Sequence, residues 1–104
     1  MSLLLKRRRM VITGGVGVGK TDTAVSLAVG AVSRGRSVVY IAMNEQHARR
    51  IIADNPLLKG KVYPHFGLHL EGLHPDYIIV DRPFSVCHEY DLLWLCRHLV
   101  IVEN

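Results

Sequence analysis

The run Gly14-Gly15-Val16-Gly17-Val18-Gly19-Lys20-Thr21 satisfies the pattern G-x-x-x-x-G-K-[ST] and constrains the fold more than any other feature. Glycines let a backbone wrap around an anion so that successive N–H groups point inward. Such a loop works only where a strand delivers it and a helix starts immediately after, because the helix N-terminus adds partial positive charge. Both flanks fit: Met10-Val11-Ile12-Thr13 is β-prone, and Asp22 to Ser33 reads as a helix. In a loop of this kind the lysine, Lys20, reaches the β- and γ-phosphates of a nucleotide, and the hydroxyl of Thr21 binds Mg²⁺. The expected nucleotide contacts are therefore Gly14, Gly15, Val16, Gly17, Val18, Gly19, Lys20, Thr21 and Asp22.

The rest of the chain repeats the strand-then-helix pattern. In the first helix Ala24, Leu27, Ala28 and Ala31 recur at the spacing of one apolar face, and Gly35 stops it. Ser37 to Ala42 is a nearly continuous apolar run, as in a strand buried on both faces. Asn44 is placed to cap a second helix from Glu45 to about Ala53, with Ala48, Ile51 and Ile52 inward, and Asn55-Pro56 ends it. Leu57 to Asp76 reads as a long connection holding one short strand, Lys61-Val62-Tyr63. Tyr77 to Asp81 is a strand, Ser85 to Cys96 a helix, and His98 to Val102 the last strand. Strands alternating with helices give an α/β fold. The expectation is a three-layer α/β/α arrangement around a mainly parallel sheet of four to five strands.

At 104 residues the chain is expected to form one domain, and 49% hydrophobic residues exclude a disordered one. The formal net charge is +4, and Lys6-Arg7-Arg8-Arg9 places four cations in a row, which makes nucleic acid an expected partner. Two cysteines, Cys87 and Cys96, without a CxxC pair and without a secretory segment point to reduced thiols and a cytoplasmic location. No apolar run approaches the about 18 residues of a membrane span. His65, His69 and His74 share one connection, but their loose spacing does not match a structural zinc site.

Asp81 follows four apolar residues at the carboxyl end of a strand, the edge where parallel α/β sheets bind ligands. With the glycine run upstream, this order of parts resembles the P-loop NTPase superfamily, and more narrowly its additional-strand, RecA-like and helicase-like branch. The resemblance spans nearly the whole chain. It makes Asp81 the counterpart of the Walker B aspartate, a second Mg²⁺ ligand beside Thr21. Arg36 to Glu45 looks like the second strand of RecA-like and KaiC-like ATPases and is also similar to the start of Zot-like phage ATPases. By that likeness Glu45 is the group that polarises the attacking water, with Lys20 as the other catalytic residue. The chain departs from the pattern at Arg82, where many members carry a glutamate. Either Glu45 or Glu103 fills the role, or hydrolysis is slow.

The resemblance implies ATP and Mg²⁺ as ligands and two functions. One is a small ATPase, slow in turnover, linked to nucleic-acid processing or phage and viral assembly. The other is a non-catalytic nucleotide-binding module that regulates or assembles a homo-oligomer or a larger protein partner. A small-molecule kinase ranks below both, because the chain has room for a lid and an acceptor site only if the Leu57 to Asp76 connection serves.

Overall fold

The computed structural model describes residues 8–12, 19–64, 75–81 and 96–102, and of residues 8–12 and 20 the backbone only. Five strands, β1 (Arg8–Ile12), β2 (Val38–Ile41), β3 (Val62–Tyr63), β4 (Tyr77–Val80) and β5 (His98–Val102), form one parallel sheet. Helix α1 spans Lys20–Ser33, helix α2 spans Glu45–Asp54, and a 3-10 turn covers Pro56–Leu58. This is the α/β class of a P-loop NTPase-like fold.

The strand order is β1-β5-β4-β2-β3, so β5, last in the chain, lies between β1 and β4. One row runs straight across the sheet through Met10, Val100, Ile79, Tyr40 and Val62. Because strand side chains alternate between faces, the interior splits in two. Val38, Tyr40, Ala42, Ile79, Val100 and Val102 pack on the face shared with α1 and α2. Val39, Ile41, Ile78, Val80, Leu99 and Ile101 are buried on the other. Strands buried on both faces read as unbroken apolar runs, which is why they stand out in the sequence. The helix expected over Ser85 to Cys96 lies outside the described residues except for Cys96, which is not helical.

α1 meets the sheet through Ala24, Ala28 and Ala31, all essentially inaccessible to solvent. Small side chains let the helix axis come close to the strands. Its end is a Schellman motif: Gly35 sits at φ +80°, its N–H bonds to the Val32 carbonyl, and the Arg36 N–H bonds to that of Ala31. Asn44 caps α2 by accepting the His47 N–H at 2.8 Å. The first two expected helices are thus present, α2 running on to Asp54. β2 is shorter than the apolar run: Ser37 leaves the strand to bond with Asp76. Among the described residues no helix is long and apolar enough to cross a membrane.

Candidate functional site

The carboxyl end of β4 lies against the first turn of α1. Gly19 is the N-cap, in the left-handed region at φ +76°, which glycine adopts without a Cβ penalty. Lacking a side chain, it caps nothing. The amides of Lys20, Thr21 and Asp22 therefore have no acceptor within the helix, and the first intrahelical bond is Thr23 N–H to the Gly19 carbonyl at 3.0 Å. Three amides and the helix dipole thus form a cationic end. Gly14, Gly15, Val16, Gly17 and Val18 lie outside the described residues, as does the side chain of Lys20.

Asp81 stands one residue past β4, and its N–H still bonds to the Ile41 carbonyl at 2.8 Å, so the ladder aims it. It is only 1% exposed. Thr21 donates Oγ1–H to Asp81 Oδ2 at 2.9 Å, joining α1 to β4 across 60 residues of chain. Tyr40 donates its hydroxyl to the same oxygen at 2.8 Å. The register explains why: Tyr40 pairs with Ile79, so Asp81 lies two residues further along the same face, within the length of a phenol ring. Burial, and then the neighbouring Asp81 charge, push the Tyr40 hydroxyl far above its ordinary range, so it remains a donor.

A third group faces this carboxylate. His47 Nε2 lies 3.8 Å from Asp81 Oδ2, while Nδ1 accepts the Met43 N–H at 3.2 Å. A neutral imidazole has one donor and one acceptor nitrogen, so the ring proton sits on Nε2, toward Asp81. All hydrogen bonds that Asp81 accepts from described residues fall on Oδ2. Beside it, between α1 and α2, an open groove of about 340 Å³ is bordered by Thr21, Asp22, Met43, His47 and Arg50.

The structure thus brings Thr21 and Asp81 into direct contact and puts Asp22 on the groove. Glu45 sits elsewhere. It opens α2, is exposed, and pairs with Arg49 at 2.6 Å one turn along the helix. Two residues absent from the sequence reading, Tyr40 and His47, hold or face the carboxylate instead. A signal for Tyr40 existed: a hydroxyl amid an aliphatic strand needs a buried partner.

Among the described residues no group of three or more His, Cys, Asp or Glu is placed to hold a metal ion. One hydroxyl and one carboxylate suit magnesium, a hard ion that keeps water and phosphate oxygens as its remaining ligands. Since Thr21 gives its proton to Asp81, the lone pairs of Oγ1 stay available.

A family model described as IstB-like ATP binding protein matches residues 1–59. The chain belongs to this family. In this IstB-like chain the matched segment carries the whole glycine run, α1, β2 and α2, while Asp81 comes from beyond it. Neither the curated proteins nor the solved structures include a match.

Proposed function

We propose that this IstB-like chain is a single nucleotide-binding unit that takes ATP·Mg²⁺ at the carboxyl edge of its sheet and hydrolyses it slowly. The observation that carries the reading is the 2.9 Å bond between Thr21 and Asp81, which puts the two expected magnesium ligands side by side at an uncapped helix N-terminus. The family's description as ATP-binding supports the choice of nucleotide.

In this reading the amides from Gly14 to Asp22 bind the phosphates, and Lys20 neutralises the γ-phosphate. Thr21 and Asp81 hold magnesium, which when bound offsets charge on the triphosphate. Tyr40 holds the Asp81 carboxylate through Oδ2, and Asp81 with Thr21 would supply protein oxygens to magnesium. Glu45 is the residue assigned to orient water, a role that requires its release from Arg49. The position of β5 between β1 and β4 supports the additional-strand branch. The basic run from Lys6 to Arg9 supports action near nucleic acid, and the location is cytoplasmic.

The exposed Glu45–Arg49 pair favours a second reading, in which the chain binds ATP·Mg²⁺ without turning it over and uses the bound state to control a partner. Equilibrium binding of a fluorescent ATP analogue tests what both share: Lys20→Ala should lose tight binding with the fold intact, and wild-type affinity in that variant would refute the site. Steady-state turnover with and without single-stranded DNA separates the two. Slow, Glu45→Gln-sensitive hydrolysis supports the ATPase, and turnover indifferent to that substitution removes Glu45 from the mechanism.

A further inference from the structure

The opposite edge of the sheet carries a second concentration of charge. Residues just before three adjacent strands meet there: Arg97 ahead of β5, Asp76 ahead of β4, and Arg36 close to the start of β2. Arg34, the C-cap of α1, joins them through the Gly35 turn. Together with Tyr77 and His98 these residues line a pocket of about 140 Å³. The rings of Tyr77 and His98 stack along one wall, centroids 4.6 Å apart.

The charges do not cancel. Arg34, Arg36 and Arg97 are exposed, and none makes an ion pair with another described residue. The only acid among the described lining residues is already engaged: Asp76 Oδ2 accepts the Ser37 N–H at 3.0 Å and the Ser37 hydroxyl at 3.3 Å. Those bonds, with the charges of Arg36 and Arg97, hold the Asp76 carboxyl below its ordinary range. Three guanidinium forks against one occupied carboxylate make an anion site, and forks suit the paired oxygens of phosphate better than point charges do. β1 pairs Arg8 with His98, so the backbone of Arg8 starts at the same edge of the sheet.

We propose that this amino-edge pocket, lined by Arg34, Arg36 and Arg97, is a second anion site that binds a phosphate ester. Asp76 and Asp81 are five residues apart, so at about 3.3 Å per residue it lies roughly 16 Å from the carboxyl edge, along the length of the strands. It does not depend on the ATP reading. The phosphate group can belong to a polynucleotide backbone or to a small free ester.

Two measurements on the full chain test it. In the first, amide shifts of ¹⁵N-labelled protein are followed during titration with inorganic phosphate and, separately, with a short single-stranded oligonucleotide. Shifts at Ser37, Asp76 and Arg97 with both ligands mean that a phosphate group alone suffices. Shifts with the oligonucleotide only assign the site to a polynucleotide backbone. Shifts confined to Gly19–Asp22, or none, overturn the proposal. In the second, oligonucleotide anisotropy is compared for the wild type, the combined Arg34→Ala, Arg36→Ala and Arg97→Ala variant, and a Lys6→Ala, Arg7→Ala control. The triple variant should bind at least tenfold more weakly and show a shallower salt dependence, by about 0.7 in log–log slope for each lost backbone contact. Paired Arg36→Lys and Arg97→Lys changes keep the charge but lose the forks, so binding should fall between the wild type and the triple variant, which separates anion recognition from a folding defect. An unchanged triple variant beside a weakened Lys6, Arg7 control would sink the idea.

Discussion

Strand β4 is bracketed by two aspartates that the structure uses in opposite ways. Asp76, at its start, is half-exposed and accepts a backbone N–H and a hydroxyl from Ser37, while its own N–H bonds back to Ser37 Oγ at 2.9 Å. That closed exchange locks β4 against β2 and sets the register. Asp81, just past the strand's end, is buried and, among the described residues, accepts hydrogen bonds from Tyr40 and Thr21, with no described lysine or arginine side chain in ion-pair contact. A carboxylate removed from water without a full countercharge is costly. The first aspartate stabilises the sheet. Among the described residues the carboxylate of the second makes no such exchange with a neighbouring strand's backbone, which fits the ligand role proposed for it.

Substitutions to asparagine break or sharpen this contrast. The largest effect belongs to Asp81→Asn. It preserves an acceptor for Tyr40 and removes a buried charge that no described lysine or arginine side chain pairs with, so the melting temperature should hold or rise while magnesium-dependent tightening of ATP binding falls at least tenfold. A clear drop in melting temperature would make Asp81 a structural residue after all. Tyr40→Phe comes next. Removing a hydrogen bond to a charged group costs about 2 kcal/mol, read from urea unfolding. The same variant should lose part of the alkaline destabilisation. Tyr40 keeps its proton in the folded chain, whereas an unfolded tyrosine releases it near pH 10, so stability falls as pH rises beyond about 10.

Asp76→Asn should cost about 1 kcal/mol at neutral pH, and here the pH dependence runs the other way. The folded carboxyl titrates below the unfolded value of about 3.9. Its contribution is therefore complete above that value and disappears as pH falls through the folded one. The gap between wild type and variant in urea midpoint should close in acid, and a gap that persists there would mean that charge is not what holds Ser37. The smallest effect is expected from Arg49→Ala. An exposed pair one turn apart on a helix contributes under about 0.5 kcal/mol, and a larger loss would give the Glu45–Arg49 contact a structural role.

The same two aspartates show what was legible in the sequence. The strand between them was, because Tyr77-Ile78-Ile79-Val80 is apolar on both faces, and β5 was recovered residue for residue from the same property. Asp81 could be singled out by its place after an apolar run. Its partners could not, since Tyr40 reaches it through a cross-strand register that no local pattern encodes. His47 was hidden in the same way: only the backbone of Met43 fixes which ring nitrogen faces the carboxylate. Glu45 was correctly read as a helix start, but spacing along a helix favours Arg49, four residues on, over any partner across the groove. The arginine pocket gathers residues from positions 34 to 97, and neighbours in space of that kind leave no trace in a linear reading.

The strand order has a mechanical corollary. Among the described residues β1 borders β5 alone, so only one of its margins is stitched and every second amide faces away from the seam. Those amides should exchange with deuterium far sooner than their counterparts in β4, which is laced on both sides. Among the described residues the strand that precedes Gly14–Thr21 in the chain is therefore the selvedge of the fabric.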